Sequence, residues 1–130
     1  MNSLRIIIGL IIWTSITVYW AFNHSKIIKN GNEPGGIKDY FLRVLLGVVV
    51  SFIAYIGIPY DRIWNFVGFL ILESGLFWII FDLSLNLFRS KEWNYVSTTN
   101  GKWSDMVFHG NFAMQAICKL IVIVLGIYLM

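Results

Sequence analysis

Charged side chains are scarce in this chain. Only 13% of its residues are Asp, Glu, Lys or Arg, against roughly 25% in an ordinary soluble domain. A small soluble domain buries a modest share of its surface, so this balance excludes a freely soluble globule of the same size. Cysteine occurs once, at Cys118 within an apolar run. No intramolecular disulfide or cysteine metal cluster can form, and the residue reads as a small apolar filler. Proline occurs twice, at Pro34 and Pro59, and both fall between the long apolar runs. The net charge is +3, but the basic residues are dispersed, which argues against the concentrated patch of a nucleic-acid binder.

Catalytic signatures are absent as well. The chain has no phosphate-binding glycine loop, no GxSxG, no HExxH and no CxxC, the patterns that carry the commonest nucleotide, hydrolase and metal chemistries. His24 and His109 alone fall short of a zinc ligand set. Ser104, Asp105 and His109 are triad residue types, but Ser104 suits the cap of a following helix better. No cofactor is expected, no metal, and no enzymatic activity.

What is present is apolar: 58% hydrophobic and 17% aromatic residues in a chain of 130, a length that suits one domain. A membrane-crossing helix needs about 20 mostly apolar residues. Four segments qualify: about Leu4–Phe22, Tyr40–Ile58, Ile63–Phe88 and Asn111–Met130. They predict an all-α integral membrane protein, a four-transmembrane-helix bundle with up-down topology, in one domain over residues 1–130. The first run has Arg5 ahead of an apolar core, as a secretory signal would. Its exit, VYWAFNHS, is bulky and lacks a small-residue cleavage site, so an uncleaved span is expected.

The connections carry their own signals. Gly31, Pro34, Gly35 and Gly36 make the first a polar loop. Pro59–Arg62 is so short that spans two and three should form a tight antiparallel hairpin. In the third, Asn100-Gly101 marks a turn. Lys26, Lys29, Lys38, Arg43, Arg89, Lys91 and Lys102 fall on one side of this arrangement, and only Arg5 and Arg62 on the other. Basic residues stay in the cytoplasm, so loops 23–39 and 89–110 are expected there, with both termini external, in a bacterial inner membrane. Trp20, Tyr40, Trp93 and Trp103 near one boundary, and Tyr60, Trp64 and Tyr128 near the other, read as interfacial aromatic belts.

The polar residues inside the spans are the informative ones. At 100° per residue, Gly68, Gly75, Asp82 and Arg89 form one stripe of span three, with Asn86 beside it, and Glu73 points to the opposite side. Span one offers Gly9, Trp13, Thr17, Trp20 and His24 on one face. Span two offers Arg43, Gly47, Ser51 and Ala54, and span four Asn111, Gln115, Lys119 and Gly126. Small residues permit close helix approach in lipid, so a bundle with all four faces inward is expected. Helix rise puts Asp82 about 10 Å from the level of Arg89, a depth shared with Lys119 and nearly with Arg43, and a buried ion pair is expected.

Glu73 lies about 24 Å from Arg89 along the helix and shares its level with Thr14, Ser15, Thr17, Ser51 and Tyr55, which are hydroxyls rather than cations. A carboxyl group removed from water without a cation favours its neutral form. Glu73 is therefore expected to be protonated at rest and hydrogen-bonded to a hydroxyl. It is either helix–helix glue or a proton- or ion-facing site, since intramembrane acids are often functional.

Phe81, Asp82, Asn86, Arg89, Trp93, Tyr95, Val96, Thr98, Thr99 and Asp105 make a further pattern: Phe-Asp, then Asn, then Arg, then an aromatic-x-Tyr-Val-x-Thr-Thr run and Asp. Over Phe81–Asp105 the chain resembles small polytopic membrane proteins of bacteria and their phages. The resemblance implies membrane residence and a phage or prophage origin, and it assigns no catalytic residue.

Two functions are expected from these features. The first is a non-enzymatic structural or assembly role, holin-like membrane permeabilisation being its sharpest version. The alternative is a small transporter or channel subunit that uses Glu73 for proton or ion coupling. The expected partners are the lipid bilayer and a second copy or a larger membrane complex, and no nucleic acid.

Overall fold

The computed structural model describes residues 3–32, 37–55, 63–96 and 107–130, and these are helical with short turns. Four helices follow one another: α1 (Ser3–Lys29), α2 (Ile37–Tyr55), α3 (Ile63–Phe88) and α4 (Phe112–Leu129). Three of them, α1 over Leu4–Lys29, α3 and α4, are long and apolar enough to cross a membrane. The apolar part of α2 is shorter, Phe41–Ile53. The end expected for span two at Ile58, the Pro59–Arg62 hairpin, Pro34, Gly35 and Gly36 lie outside the described residues, as do Thr98, Thr99, Asn100, Gly101, Ser104 and Asp105.

Local chemistry sets the described helix ends. α1 continues past Phe22 to Lys29, so much of the expected loop 23–39 is helix. It stops where Gly31 takes a left-handed φ of 77°, with the Gly31 N–H on the Ile28 carbonyl and the Asn32 N–H on that of Ile27. This pair of reversed bonds closes a helix end. α3 ends in the same way, but with Ser90 at φ 55°. Its N–H reaches the Leu87 carbonyl and the Lys91 N–H reaches that of Asn86. At the start of α4, the Asn111 side chain accepts a hydrogen bond from the Met114 N–H at 3.0 Å, satisfying one of the orphan donors of the first turn.

α3 is the hub. It packs against α1, α2 and α4, and α1 also packs against α2, but among the described residues α4 touches α3 alone. The expected single interior with four polar faces turned inward is therefore not formed. Instead, α3 uses two opposite sides. The side bearing Gly68, Gly75 and Asp82 meets α4, and the side bearing Glu73 meets α1 and α2. The physical reason is the 180° separation of those two sets on one helix.

At the α3–α4 seam the backbones come into near contact. A Cβ added to Gly126 would sit 2.5 Å from the Leu72 nitrogen, and one added to Gly68 would sit 2.8 Å from the Gly126 carbonyl oxygen. Only glycine at both positions allows this approach.

Burial is inverted relative to a soluble domain. The largest fully buried side chains are Phe69, Glu73, Thr17 and Ser51. Leu87, Phe41, Val44, Val124 and Tyr128 are exposed. A soluble fold seldom buries Glu, Thr and Ser so fully while leaving so many large apolar side chains exposed.

Candidate functional site

Among the described residues, polar side chains gather in three places, each between different helices. The first surrounds Glu73, which is only 1% exposed. The Ser51 hydroxyl of α2 donates to Glu73 Oε2 at 2.5 Å. The indole N–H of Trp13, from α1, donates to the Glu73 backbone carbonyl at 2.9 Å. That carbonyl is thereby used by a neighbouring helix in an apolar setting. Thr17, fully buried, donates back to the Trp13 carbonyl at 2.8 Å. Trp13 also lies over Gly47, whose added Cβ would be 3.2 Å from the indole ring. Glu73 Oε1 is buried and has no hydrogen-bond partner among the described residues.

Of the described hydroxyls at this level, Ser51 is the one bonded to the Glu73 carboxyl group. Ser15 is exposed and donates to the Ile11 carbonyl on its own helix, while Thr14 is half-buried. The Tyr55 side chain lies outside the described residues. Trp13 was legible on the semi-polar face of span one, but no pattern marked it as a donor to a backbone carbonyl 60 residues away.

The second cluster joins α3 to α4. Lys119 Nζ donates to Asp82 Oδ2 at 2.6 Å and to Gln115 Oε1 at 2.9 Å, and it lies 5.4 Å from the centre of the Trp78 ring. The Lys119 side chain is 6% exposed and that of Asp82 29%. One turn further along α3, the buried Asn86 amide donates to the backbone carbonyls of Tyr95 at 2.9 Å and Trp93 at 3.3 Å. It ties the chain leaving α3 back onto the helix. Arg89 stands over the Tyr95 ring at 5.8 Å. Beside this cluster is a cavity of about 260 Å³ between α3, α4 and the Trp93–Tyr95 turn.

The third cluster holds Arg43. Its guanidinium bonds Asp39 Oδ2, one turn earlier on α2, and the His24 ring of α1 at 2.8 Å. His24 Nε2 is also 2.9 Å from Asp39 Oδ2, so this one nitrogen either accepts from Arg43 or donates to Asp39. Phe81 and Phe77 of α3 and Trp20 of α1 lie 5.0–5.5 Å from the guanidinium carbon, so the charge is boxed by aromatic rings, a favourable setting for a cation. The expected alternative partner of Asp82 thus bonds an acid on its own helix. The four-residue spacing of Asp39 and Arg43 was the sequence signal for that pair.

Among the described residues no group of three His, Cys, Asp or Glu side chains is placed to hold a metal ion. Cys118 is a half-buried free thiol on α4. In comparisons with family models, curated proteins and solved structures, this chain matches none.

Proposed function

We propose that this chain is a multi-pass membrane protein with a non-enzymatic structural or assembly role, built to hold a set of helices together inside a bilayer. The inverted burial carries this reading. Its interior is fastened by Ser51–Glu73, Lys119–Asp82–Gln115 and Arg43–Asp39–His24, while its outer face is leucine, valine, isoleucine and phenylalanine. In lipid, helix association draws on close packing and interhelical hydrogen bonds rather than on apolar burial, and both features are present at the α3 seams. α2 is the fourth span in this reading.

Side-chain pairings support an up-down course. Gly68 meets Gly126 while Asp82 meets Lys119, so α3 and α4 run in opposite directions. The excess of basic residues in 23–39 and 89–110 supports cytoplasmic placement of those segments in a bacterial inner membrane, with the termini outside. The sharpest version of the role is holin-like permeabilisation by assembled copies. It is tested by inducing the chain in a bacterial host while recording membrane potential and optical density. A sudden collapse of potential supports permeabilisation. A steady potential with a cross-linkable oligomer supports assembly alone. A chain extracted from membranes by alkaline carbonate refutes both.

A second reading is favoured by one observation, the buried and unpartnered Glu73 Oε1. As a transporter or channel subunit, the chain would use this carboxyl group to take up and release a proton or a cation. In reconstituted vesicles, ion or proton flux lost in Glu73→Gln at unchanged assembly supports that reading. Equal flux in both variants removes it.

A further inference from the structure

The α3–α4 cavity is explained neither by helix packing nor by the Lys119–Asp82 pair. We propose that it is a lipid site, holding one acyl chain of an anionic phospholipid whose phosphate sits near Arg89 and Lys91. The proposal rests on the membrane reading above.

The cavity's walls carry the first part of the argument. Leu83 of α3, Ala116 and Leu120 of α4 and Trp93 line it, and the buried Lys119 forms its inner wall with Asp82, Asn86 and Gln115. Leu83, Leu120 and Trp93 are 41%, 56% and 65% exposed, so the gap opens on the outer apolar face, towards hydrocarbon. The polar groups on that wall bond one another or the backbone, so the space offers water few partners and does not hold it well. The helices cannot collapse to close it. Their backbones already touch at Gly68 and Gly126, and the Asp82–Lys119 pair spans the seam beside the gap.

Charge and size select the occupant. The Lys119 ammonium group already has Asp82 and Gln115 as acceptors and an aromatic face at Trp78. The inner wall therefore does not call for an anionic group inside the cavity, and a hydrocarbon chain fits it. The mouth differs. Tyr95 forms part of the lining, and Arg89 and Lys91 lie 5.8 and 5.3 Å from its ring. The exposed Glu92 is the acid in this turn, which leaves a net positive mouth. Trp93 and Tyr95 are ring types that sit at headgroup level. About 260 Å³ falls short of the ~300–1,000 Å³ typical of drug-sized ligand pockets, so it admits part of one acyl chain and not two chains.

The test uses the full chain in nanodiscs of phosphatidylcholine and phosphatidylglycerol in equal amounts, released into native mass spectrometry. Retained phosphatidylglycerol should exceed phosphatidylcholine by about fivefold, the preference expected for one net positive charge at the surface. Ala116→Phe fills the cavity and should abolish retention. The double variant Arg89→Gln/Lys91→Gln should keep a lipid and lose the headgroup preference. Photo-crosslinking of the unaltered chain with phosphatidylglycerol carrying a diazirine in its acyl chain should label Leu83, Ala116 or Leu120, whether or not Ala116→Phe folds. Labelling confined to other faces, or equal retention of both lipids, overturns the proposal. Flotation of the same sample with lipid separates the two levels. A chain that floats but shows no α3–α4 label refutes the site alone, and a chain that does not float refutes membrane residence.

Discussion

Removing one partner of the Lys119–Asp82 pair should cost very different amounts depending on which partner goes. Breaking a buried ion pair by deleting one member typically costs about 3–5 kcal/mol, because the remaining charge stays buried. Asp82→Leu leaves the Lys119 ammonium group in a site 6% exposed, with the Gln115 carbonyl as its remaining hydrogen-bond acceptor. It should cost the full ~3–5 kcal/mol. Lys119→Met leaves a carboxylate whose side chain is 29% exposed, less completely enclosed than the ammonium group. Its cost should fall to about 1–2 kcal/mol, nearer the worth of an interhelical hydrogen bond in lipid. The double variant Asp82→Leu/Lys119→Met removes both charges and restores apolar packing, so it should lie within about 1 kcal/mol of the unaltered chain, as replaced buried pairs often do. Reversible unfolding in mixed detergent micelles with increasing dodecyl sulfate, followed by circular dichroism, measures all four members of the cycle. Equal losses in the two single variants, or a double variant less stable than Asp82→Leu, would show that burial of the ammonium group does not control this seam.

Three further outcomes follow from the geometry. Gly126→Val puts a branched side chain where a single Cβ already comes within 2.5 Å of the Leu72 backbone. Overpacking costs about 1–3 kcal/mol or more, and disulfide trapping of cysteines placed across α3 and α4 should slow markedly; trapping at the normal rate contradicts the contact. Ser51→Ala removes the donor to Glu73 Oε2 and should cost about 1–3 kcal/mol, the penalty for a buried polar group left unsatisfied, whereas Glu73→Gln keeps an acceptor oxygen for Ser51 and should cost less than Ser51→Ala in the same unfolding assay. Infrared spectroscopy at neutral pH should find a protonated carboxyl band that is lost in Glu73→Gln, and a band unchanged by that substitution would argue for an ionised Glu73.

Individual residues show where sequence reasoning was sufficient. Gly68, Gly75 and Asp82 recur every seventh position, and helical geometry alone puts them on one side of α3 and Glu73 on the other. Depth along the helices then brought Asp82 and Lys119 to one level. α1 runs on past its apolar segment to Lys29, although polar His24, Ser25 and Lys26 look like the start of a loop. In the fold Ser25 bonds the Phe22 carbonyl and His24 Nε2 meets the Asp39–Arg43 pair of α2, which makes helix the better state for them. Arg43 was matched by depth to Asp82, but an acid one turn away on the same helix has the smaller entropic cost of approach.

Composition and periodicity are properties of the chain itself, and they carried the helical class, the long apolar helices and the two-sided character of α3, because hydrophobic runs and the 3.6-residue turn act locally. Tertiary structure alone decided that α4 leans on α3 and, among the described residues, meets neither α1 nor α2. It also decided that Ser51, among several hydroxyls at one level, bonds the Glu73 carboxyl group, and that a cavity remains beside Lys119. These depend on how far helix axes separate and which faces turn towards each other. That is set by the near contact of Gly68 with Gly126 and by the indole of Trp13 over Gly47, contacts between residues distant in the chain that no local pattern encodes.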